Sequence, residues 1–179
     1  FKRKKKKIGI FGDYDVDGAT STALLGSYFK KINVLFEYYI PDRIKEGYGP
    51  NIGAFYELKN KGCGLIITVD CGTTSNDIIE KIIKEGTQII VVDHHQQGEE
   101  LPKDCFVVNP NRNDDKSDLK NLAAVGVSFL LMISINRKLK EMNFFNNDSI
   151  PNLLDFLDLV ALGTICDVVR LDNLNRAFV

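Results

Sequence analysis

Five short apolar runs, separated by stretches with helical periodicity, constrain this chain more than any other feature. Ile8-Gly9-Ile10-Phe11, segment 34–40, Leu65-Ile66-Ile67-Thr68-Val69, Gln88-Ile89-Ile90-Val91-Val92 and segment 105–109 have the length and the β-branched or aromatic content of strands. A strand with one face in water alternates apolar and polar residues. These runs are apolar at consecutive positions, so both faces must be covered. Between them, 19–29 reads as a helix, and Ile52, Phe55, Tyr56 and Leu58 mark a second that Gly62 closes. Ile78, Ile79, Ile82 and Ile83 line one face of a third, opened by a Thr74/Asp77 capping box and closed by Gly86. Segments 123–140 and 153–162 predict two further helices, and 113–121 and 143–151 read as polar loops. The pattern predicts an α/β fold: a parallel β-sheet flanked by helices on both faces.

Composition adds limits. With 179 residues, 44 % of them hydrophobic, the chain has the material for one such domain and its core. No apolar run approaches the roughly 20 residues that span a bilayer, and no secretory signal is visible, so no membrane partner is expected. The net charge of −1 hides an asymmetry: six positive charges sit at positions 2–7, leaving −7 for the rest. That run reads as a basic boundary segment, with residues 8–179 as the domain proper. A basic arm that touches nucleic acid is the competing reading. Cys63, Cys71, Cys105 and Cys166 form no CxxC pair, and neither histidine lies near them at zinc-finger spacing. Four buried, reduced thiols and a cytoplasmic location are the expectation.

In a parallel α/β sheet, ligands bind beyond the carboxyl ends of the strands. Three predicted strands end in groups that do chemistry. The first runs into Asp13-Tyr14-Asp15-Val16-Asp17-Gly18, the third into Asp70, and the fourth into Asp93-His94-His95, which holds both histidines of the chain. Carboxylates brought together repel one another unless protons or cations intervene. Oxygen donors with imidazole nitrogen suit Mn²⁺ or Mg²⁺ better than a thiolate-seeking ion.

Of two local alternatives, one fails on spacing and the other fits less well. Asp13-x-Asp15-x-Asp17-Gly18 matches the opening of an EF-hand loop, but its twelfth position is Leu24, not Glu. Asp15-Val16-Asp17-Gly18 resembles the aspartyl-phosphate motif of haloacid-dehalogenase-type phosphatases. There, however, the first Asp follows the strand directly and a Thr follows the Gly, where this chain has Ala19. Taken singly, Asp70 also fits a turn aspartate, and His94 with His95 a satisfied, half-buried pair. Asp167, after the apolar run Leu162-Gly163-Thr164-Ile165-Cys166, reads as an ordinary loop residue.

Four motifs in order, GDYDVDGATSTALL (12–25), TVDCG (68–72), VDHH (92–95) and ALGTICDVV (161–169), resemble those of the DHH phosphoesterases. Within that superfamily the chain is most similar to RecJ-type single-strand-specific 5′→3′ exonucleases, to which PDRIKEGYG (41–49), VVNPNR (107–112) and LAAVGVSF (122–129) also correspond. The resemblance covers the chain from about Ile8 onward and implies a Rossmann-like three-layer sandwich. It implies two divalent cations, Mn²⁺ or Mg²⁺, held by Asp15, Asp17, Asp70, His94 and Asp167, with Asp70 bridging. His95 then faces the scissile phosphate, Asp93 orients an imidazole, and Arg43 lies near the DNA phosphates. Many members carry His where this sequence has Phe11; Asp13 is the candidate to replace it as a ligand. Gly18 is expected to leave room for substrate at the mouth of the first helix, whose N-terminus favours an anion, and residues 73–75 to do the same at a later helix.

The activity so implied is metal-dependent hydrolysis of single-stranded DNA in repair and recombination, with a single-strand-binding protein or helicase as partner. Alternatives are a nanoRNA or cyclic-dinucleotide phosphodiesterase, a pyrophosphatase, or a catalytically dead scaffold that binds DNA. Family members carry a second DHH-associated domain and an oligonucleotide-binding module. Neither fits in 179 residues, so the chain is expected to be a piece of a longer nuclease that binds metal but degrades DNA poorly by itself.

Overall fold

The computed structural model describes residues 6–145 and 150–179. Among them β1 (Lys7–Gly12), β2 (Phe36–Tyr39), β3 (Cys63–Val69), β4 (Gln88–Val92) and β5 (Phe106–Val108) form one sheet. Its order is β2-β1-β3-β4-β5, with every pairing parallel. The helices are α1 (Val16–Lys31), α2 (Ile52–Asn60), α3 (Asn76–Lys84), α4 (Ala124–Glu141), α5 (Leu157–Cys166) and α6 (Asn173–Phe178), with a 3₁₀ turn over Leu153–Phe156.

Successive strand residues point to opposite faces, and each face has its own core. Ile10, Ile67, Val69 and Val92 pack against Leu24, Leu25 and Tyr28 of α1, Met132 of α4 and Val160 of α5. Phe11, Ile66 and Val91 point the other way, onto Phe55 and Leu58 of α2 and Ile79 and Ile82 of α3. This is the three-layer α/β arrangement that the consecutive apolar runs require. Each fully buried side chain of this size contributes roughly 1.5–3 kcal/mol, so the two cores specify both faces.

The strand order places the site. β2 lies on one side of β1, and β3, β4 and β5 on the other, so the chain reverses direction across the sheet between β1 and β3. Connections leaving in opposite directions open a crevice at the carboxyl ends of those two strands. The register aligns the residues just beyond the strands: Asp13 N–H donates to Val69 O, Asp70 N–H to Val92 O and Asp93 N–H to Val108 O. Asp13, Asp70, Asp93 and Asn109 therefore stand in one row along the top of the sheet.

Several boundaries differ from expectation. α1 begins at Val16, three residues early, because the Asp15 side chain accepts from Gly18 N–H and caps it. The Thr74/Asp77 capping box does not form; α3 follows Ser75, whose side chain makes no cap bond. The preceding loop is held instead by Asp93 and Asn109, both distant in sequence, through Thr73. The single helix predicted for 153–162 divides into the 3₁₀ turn and α5, which continues to Cys166. The strand expected over 34–40 narrows to β2, an edge strand with Tyr38 exposed. The basic run at 2–7 is described only from Lys6; Lys7 is already in β1, paired with Glu37, one residue before the expected boundary. Within the loop at 143–151, residues 146–149 lie outside the described residues. All four thiols are free, but Cys105 is half-buried and Cys166 exposed, because Cys166 falls on the outer face of α5. Among the described residues no helix is long and apolar enough to cross a membrane.

Candidate metal centre

Every carboxylate and imidazole singled out at the strand ends reaches one locus. Among the described residues, three groups hold donor atoms within 4.8 Å of one another: Asp13, Asp15 and Asp70; Asp17, His94 and Asp167; and Asp70, His94 and His95. Asp70 and His94 each belong to two groups. His94 Nε2 lies 3.4 Å from Asp70 Oδ1, 3.6 Å from Asp167 Oδ2 and 3.8 Å from Asp17 Oδ2.

Each donor is delivered by a different local device. Asp70 leaves β3 with φ +63°, a left-handed conformation that Asp tolerates better than most residues; its side chain is only 1 % exposed. Asp15 is the N-cap of α1, and Asp17 lies in the first turn of that helix. The Asp17 carboxylate crosses to α4, whose N-cap is Ala123 and therefore has no capping side chain. Its two oxygens accept from Ala124 N–H (2.6 Å) and Val125 N–H (2.8 Å), satisfying two of the orphan donors at that helix end. Asp167 caps the carboxyl end of α5. Gly163 lets α5 approach α1 and α4 closely, since a Cβ there would collide with Thr20 Oγ1 and Val125. The next residue after Asp167, Val168, has φ +59°, strained for a β-branched residue.

Unpartnered buried acceptors converge here. Both oxygens of Asp70, Asp13 Oδ1, Asp167 Oδ2 and His94 Nε2 are buried without a hydrogen-bond partner. Buried polar atoms are normally satisfied, and desolvated carboxylates facing one another are costly. Burial pushes the Asp70 carboxyl up to about 10, with the charges of Asp17 and Asp15 adding to it. Burial pushes Asp17 up to about 6 despite the N–H groups of Val125 and Ala124. Asp13 and Asp167 are raised too, again chiefly by burial. A shared set of oxygen and imidazole donors, too crowded to ionise together, fits hard divalent cations and no thiolate-seeking metal.

Asp93 behaves oppositely. Burial acts to raise its carboxyl, but hydrogen bonds from His95 and Thr73 hold it well below the usual range. Its Oδ1 lies 2.7 Å from His95 Nδ1 and accepts from the N–H groups of His94 and His95. The bond to Asp93 in turn raises His95. With Nδ1 committed to Asp93, Nε2 of the half-exposed His95 has only the Tyr48 hydroxyl at 3.4 Å beside it and can turn to a group bound in the crevice.

Loop 41–49 forms the rim. Glu46 closes it on itself, accepting from Asp42 N–H and the Tyr39 hydroxyl. Arg43, predicted to lie near phosphates, sits over the Tyr14 ring, 5.1 Å from its centroid. Tyr48, a residue sequence reasoning missed, brings its hydroxyl within 3.3 Å of His95 Nδ1 and meets that ring edge-on. It lies within the 41–49 motif, but nothing local in that motif shows that its half-exposed aromatic reaches His95.

Two expectations need correcting. Gly18 leaves no room for substrate: the space of its absent side chain is filled by the Asp13 backbone, and its N–H is bonded to Asp15. Thr73 N–H is likewise taken, by Asp93 Oδ2 at 3.0 Å. Phe11 lies in the α2/α3 core, fully buried, stacked on Tyr39 and edge-on to Phe55. Asp13, two residues on and on the crevice side, completes a three-carboxylate group in its place.

Residues 7–164 match the model of the DHH family, N-terminal domain. The Single-stranded-DNA-specific exonuclease RecJ of Haemophilus influenzae is 42% identical over 173 residues, 96% of this chain and 30% of that protein. RecJ of Escherichia coli is 41% identical over 177 residues, covering 97% and 31%. Among solved structures, exonuclease RecJ bound to manganese superposes with a TM-score of 0.82 at 35% identity, covering 98% of this chain and 42% of that one. RecJ in complex with Mn²⁺ from Thermus thermophilus gives 0.76 at 33% identity, covering 98% and 24%. The chain thus spans about 30% of the length of the curated relatives it matches.

Proposed function

The chain belongs to the DHH family, and on that premise we propose that it is the metal-holding part of a single-strand-specific DNA exonuclease. The observation that carries this reading is the convergence of Asp13, Asp15, Asp17, Asp70, His94 and Asp167, with buried acceptors of Asp13, Asp70, His94 and Asp167 left unpartnered. A dead scaffold gains nothing from so costly a cluster.

Asp13, Asp15 and Asp70 would hold one divalent cation, and Asp17, His94 and Asp167 a second, with Asp70 between them. Such ions, when bound, supply Lewis-acid polarisation of the phosphodiester and a water acidic enough to attack near neutral pH. The protein's own groups do the rest. The Asp93 carboxylate fixes the His95 tautomer and favours its protonated form, so Nε2–H is available to donate to a phosphate oxygen or the departing sugar oxygen. Tyr48 limits the swing of that ring from the rim. The Arg43 guanidinium, seated on Tyr14, supplies positive charge for the phosphate backbone at the mouth of the crevice.

Single-stranded DNA as substrate is supported by the names of the relatives. A single-strand-specific enzyme acts on strands that a helicase unwinds and a single-strand-binding protein covers, so both are proposed partners. A cytoplasmic location follows from the same reading, and the remaining length of the relatives is the proposed place of the second domain and the oligonucleotide-binding module.

The deciding experiment uses the full-length protein with Mn²⁺ on 5′-labelled single-stranded DNA, duplex DNA, short RNA and pyrophosphate. Stepwise loss of the single strand alone is expected. Turnover of pyrophosphate or dinucleotides without attack on longer DNA would overturn the reading.

A further inference from the structure

The segment after β5, Asn109-Pro110-Asn111, lies outside the donor set, yet its two asparagine side chains grip the backbone that carries both histidines. Asn109 is 3 % exposed. Its Nδ2 donates to His95 O at 2.8 Å and to Thr73 Oγ1 at 2.8 Å, and its Oδ1 accepts from Asn111 N–H at 2.7 Å. Asn111 Nδ2 donates to His94 O and to Lys120 O. The opposite edge of the dipeptide is held by Asp93, which accepts from both histidine N–H groups. The histidines lie just beyond β4 and belong to no strand or helix. All four of their main-chain polar groups are therefore bonded to side chains: the N–H groups to Asp93, the carbonyls to Asn109 and Asn111.

We propose that Asn109 and Asn111 are positioning residues that set where the His94 and His95 imidazoles stand relative to Asp70. Asn109 ties the two relevant loops together, since Thr73 is three residues beyond Asp70 and Thr73 N–H also bonds Asp93 Oδ2. Asn111 fixes the carbonyl of the residue whose Nε2 stands 3.4 Å from Asp70 and 3.6 Å from Asp167. A histidine at a strand end has free backbone torsions. A small rotation of its peptide sweeps the ring away from the other donors. The carboxylate group of Asp13, Asp15 and Asp70 is bonded to neither asparagine, so loss of the clamp falls on the histidine-bearing site.

The inference rests on the metal-dependent reading, and its test is a binding measurement that needs no substrate. Mn²⁺ is titrated calorimetrically into the full-length protein and into its Asn111→Asp and Asn111→Gln variants. Electron spin-echo spectroscopy of bound Mn²⁺ reports the nitrogen coupling from His94. Asn111 is chosen because it is part-exposed, and Asp is isosteric but faces the His94 carbonyl with an acceptor. Asn111→Asp is expected to weaken the nitrogen-coupled site by about 10- to 100-fold, the usual effect of removing a group that orients a metal ligand. The site without nitrogen coupling should keep its wild-type affinity. Asn111→Gln, which keeps the donor, should recover most of the affinity. Unchanged binding at both sites, equal weakening of both, or no recovery in Asn111→Gln would overturn the proposal. Wild-type protein that binds Mn²⁺ at both sites but leaves single-stranded DNA intact counts against the exonuclease reading. The clamp would still be judged by the binding data.

Discussion

Replacing Asp70 by Asn should stabilise the metal-free protein while removing its metal binding, and the size of the effect follows from the site. Asn is nearly isosteric, tolerates the left-handed backbone at φ +63°, and turns an acceptor facing other carboxylates into a donor. In wild type, Asp70 shares a space of at most 4.8 Å between donor atoms with Asp13 and Asp15. Burial is the main reason that the carboxyl takes up a proton and rises to about 10, and the charges of Asp17 and Asp15 add to it; a like-charge pair at that distance costs about 3.5 kcal/mol at an effective dielectric of about 20. A folded-state pKa above the unfolded value of 3.8 gives stability that is full below 3.8 and is lost as pH rises toward about 10. At about 1.36 kcal/mol per pH unit, the advantage of Asp70→Asn over wild type should grow by about 3 kcal/mol between pH 5 and pH 7.5. For a domain of this size that is a widening of roughly 6–12 °C in melting temperature. The assay is thermal unfolding followed by circular dichroism, in chelator and then in Mn²⁺, across that pH range. Wild type should gain stability with Mn²⁺, by about 2.7 kcal/mol for a site at a hundredfold excess over its Kd, and the variant should scarcely respond. An Asp70→Asn protein less stable than wild type in chelator, or an advantage that does not change with pH, would refute the electrostatic reasoning.

Asp17→Ala should move stability the other way. It strands the N–H groups of Ala124 and Val125, for a net loss of about 1–3 kcal/mol, and a metal-free melting temperature that rose would count against the capping role. His95→Gln should lower kcat of the full-length enzyme by about 10²- to 10⁴-fold with Mn²⁺ affinity nearly intact; equal losses in binding and turnover, compared by calorimetry and single-turnover kinetics, would make His95 a ligand instead. Gly163→Ala forces α5 away from Thr20 and Val125, at about 1–3 kcal/mol. It should weaken Mn²⁺ binding through displacement of Asp167, and unchanged binding would remove α5 packing from the account of the site.

Much of this arrangement is legible in local patterns, and the exceptions share a cause. Residues 65–69 and 88–92 read as strands because burial on both faces leaves consecutive apolar residues, which neither a surface strand nor a surface helix shows. Asp13, Asp15, Asp70, His94 and His95 could be chosen because strand ends are where such folds bind ligands. Asp167 could be chosen only through the family motif, since a lone aspartate after a helix carries no local signal. Gly18 misled because a glycine in a turn looks the same whether its space serves a substrate or the chain's own Asp13 backbone. The Thr74 capping box misled because Asp93 and Asn109, distant in sequence, hold that loop in place of a local cap.

By itself the sequence determined the element types, their order along the chain and the kinds of donor at the strand ends, all of which depend on neighbours within a few residues. Only the tertiary structure decided that β3 joins β1 on the side away from β2, which opens the crevice between them. Tertiary contacts alone turn Phe11 into the core and Asp13 into the site, place the Asp17 carboxylate on the N-terminus of α4, and bring Asn109 and Asn111 under the histidines. Those outcomes rest on hydrogen bonds and packing between residues tens of positions apart. Such contacts leave no periodicity in the sequence, because the energy that selects them exists only once the sheet has formed.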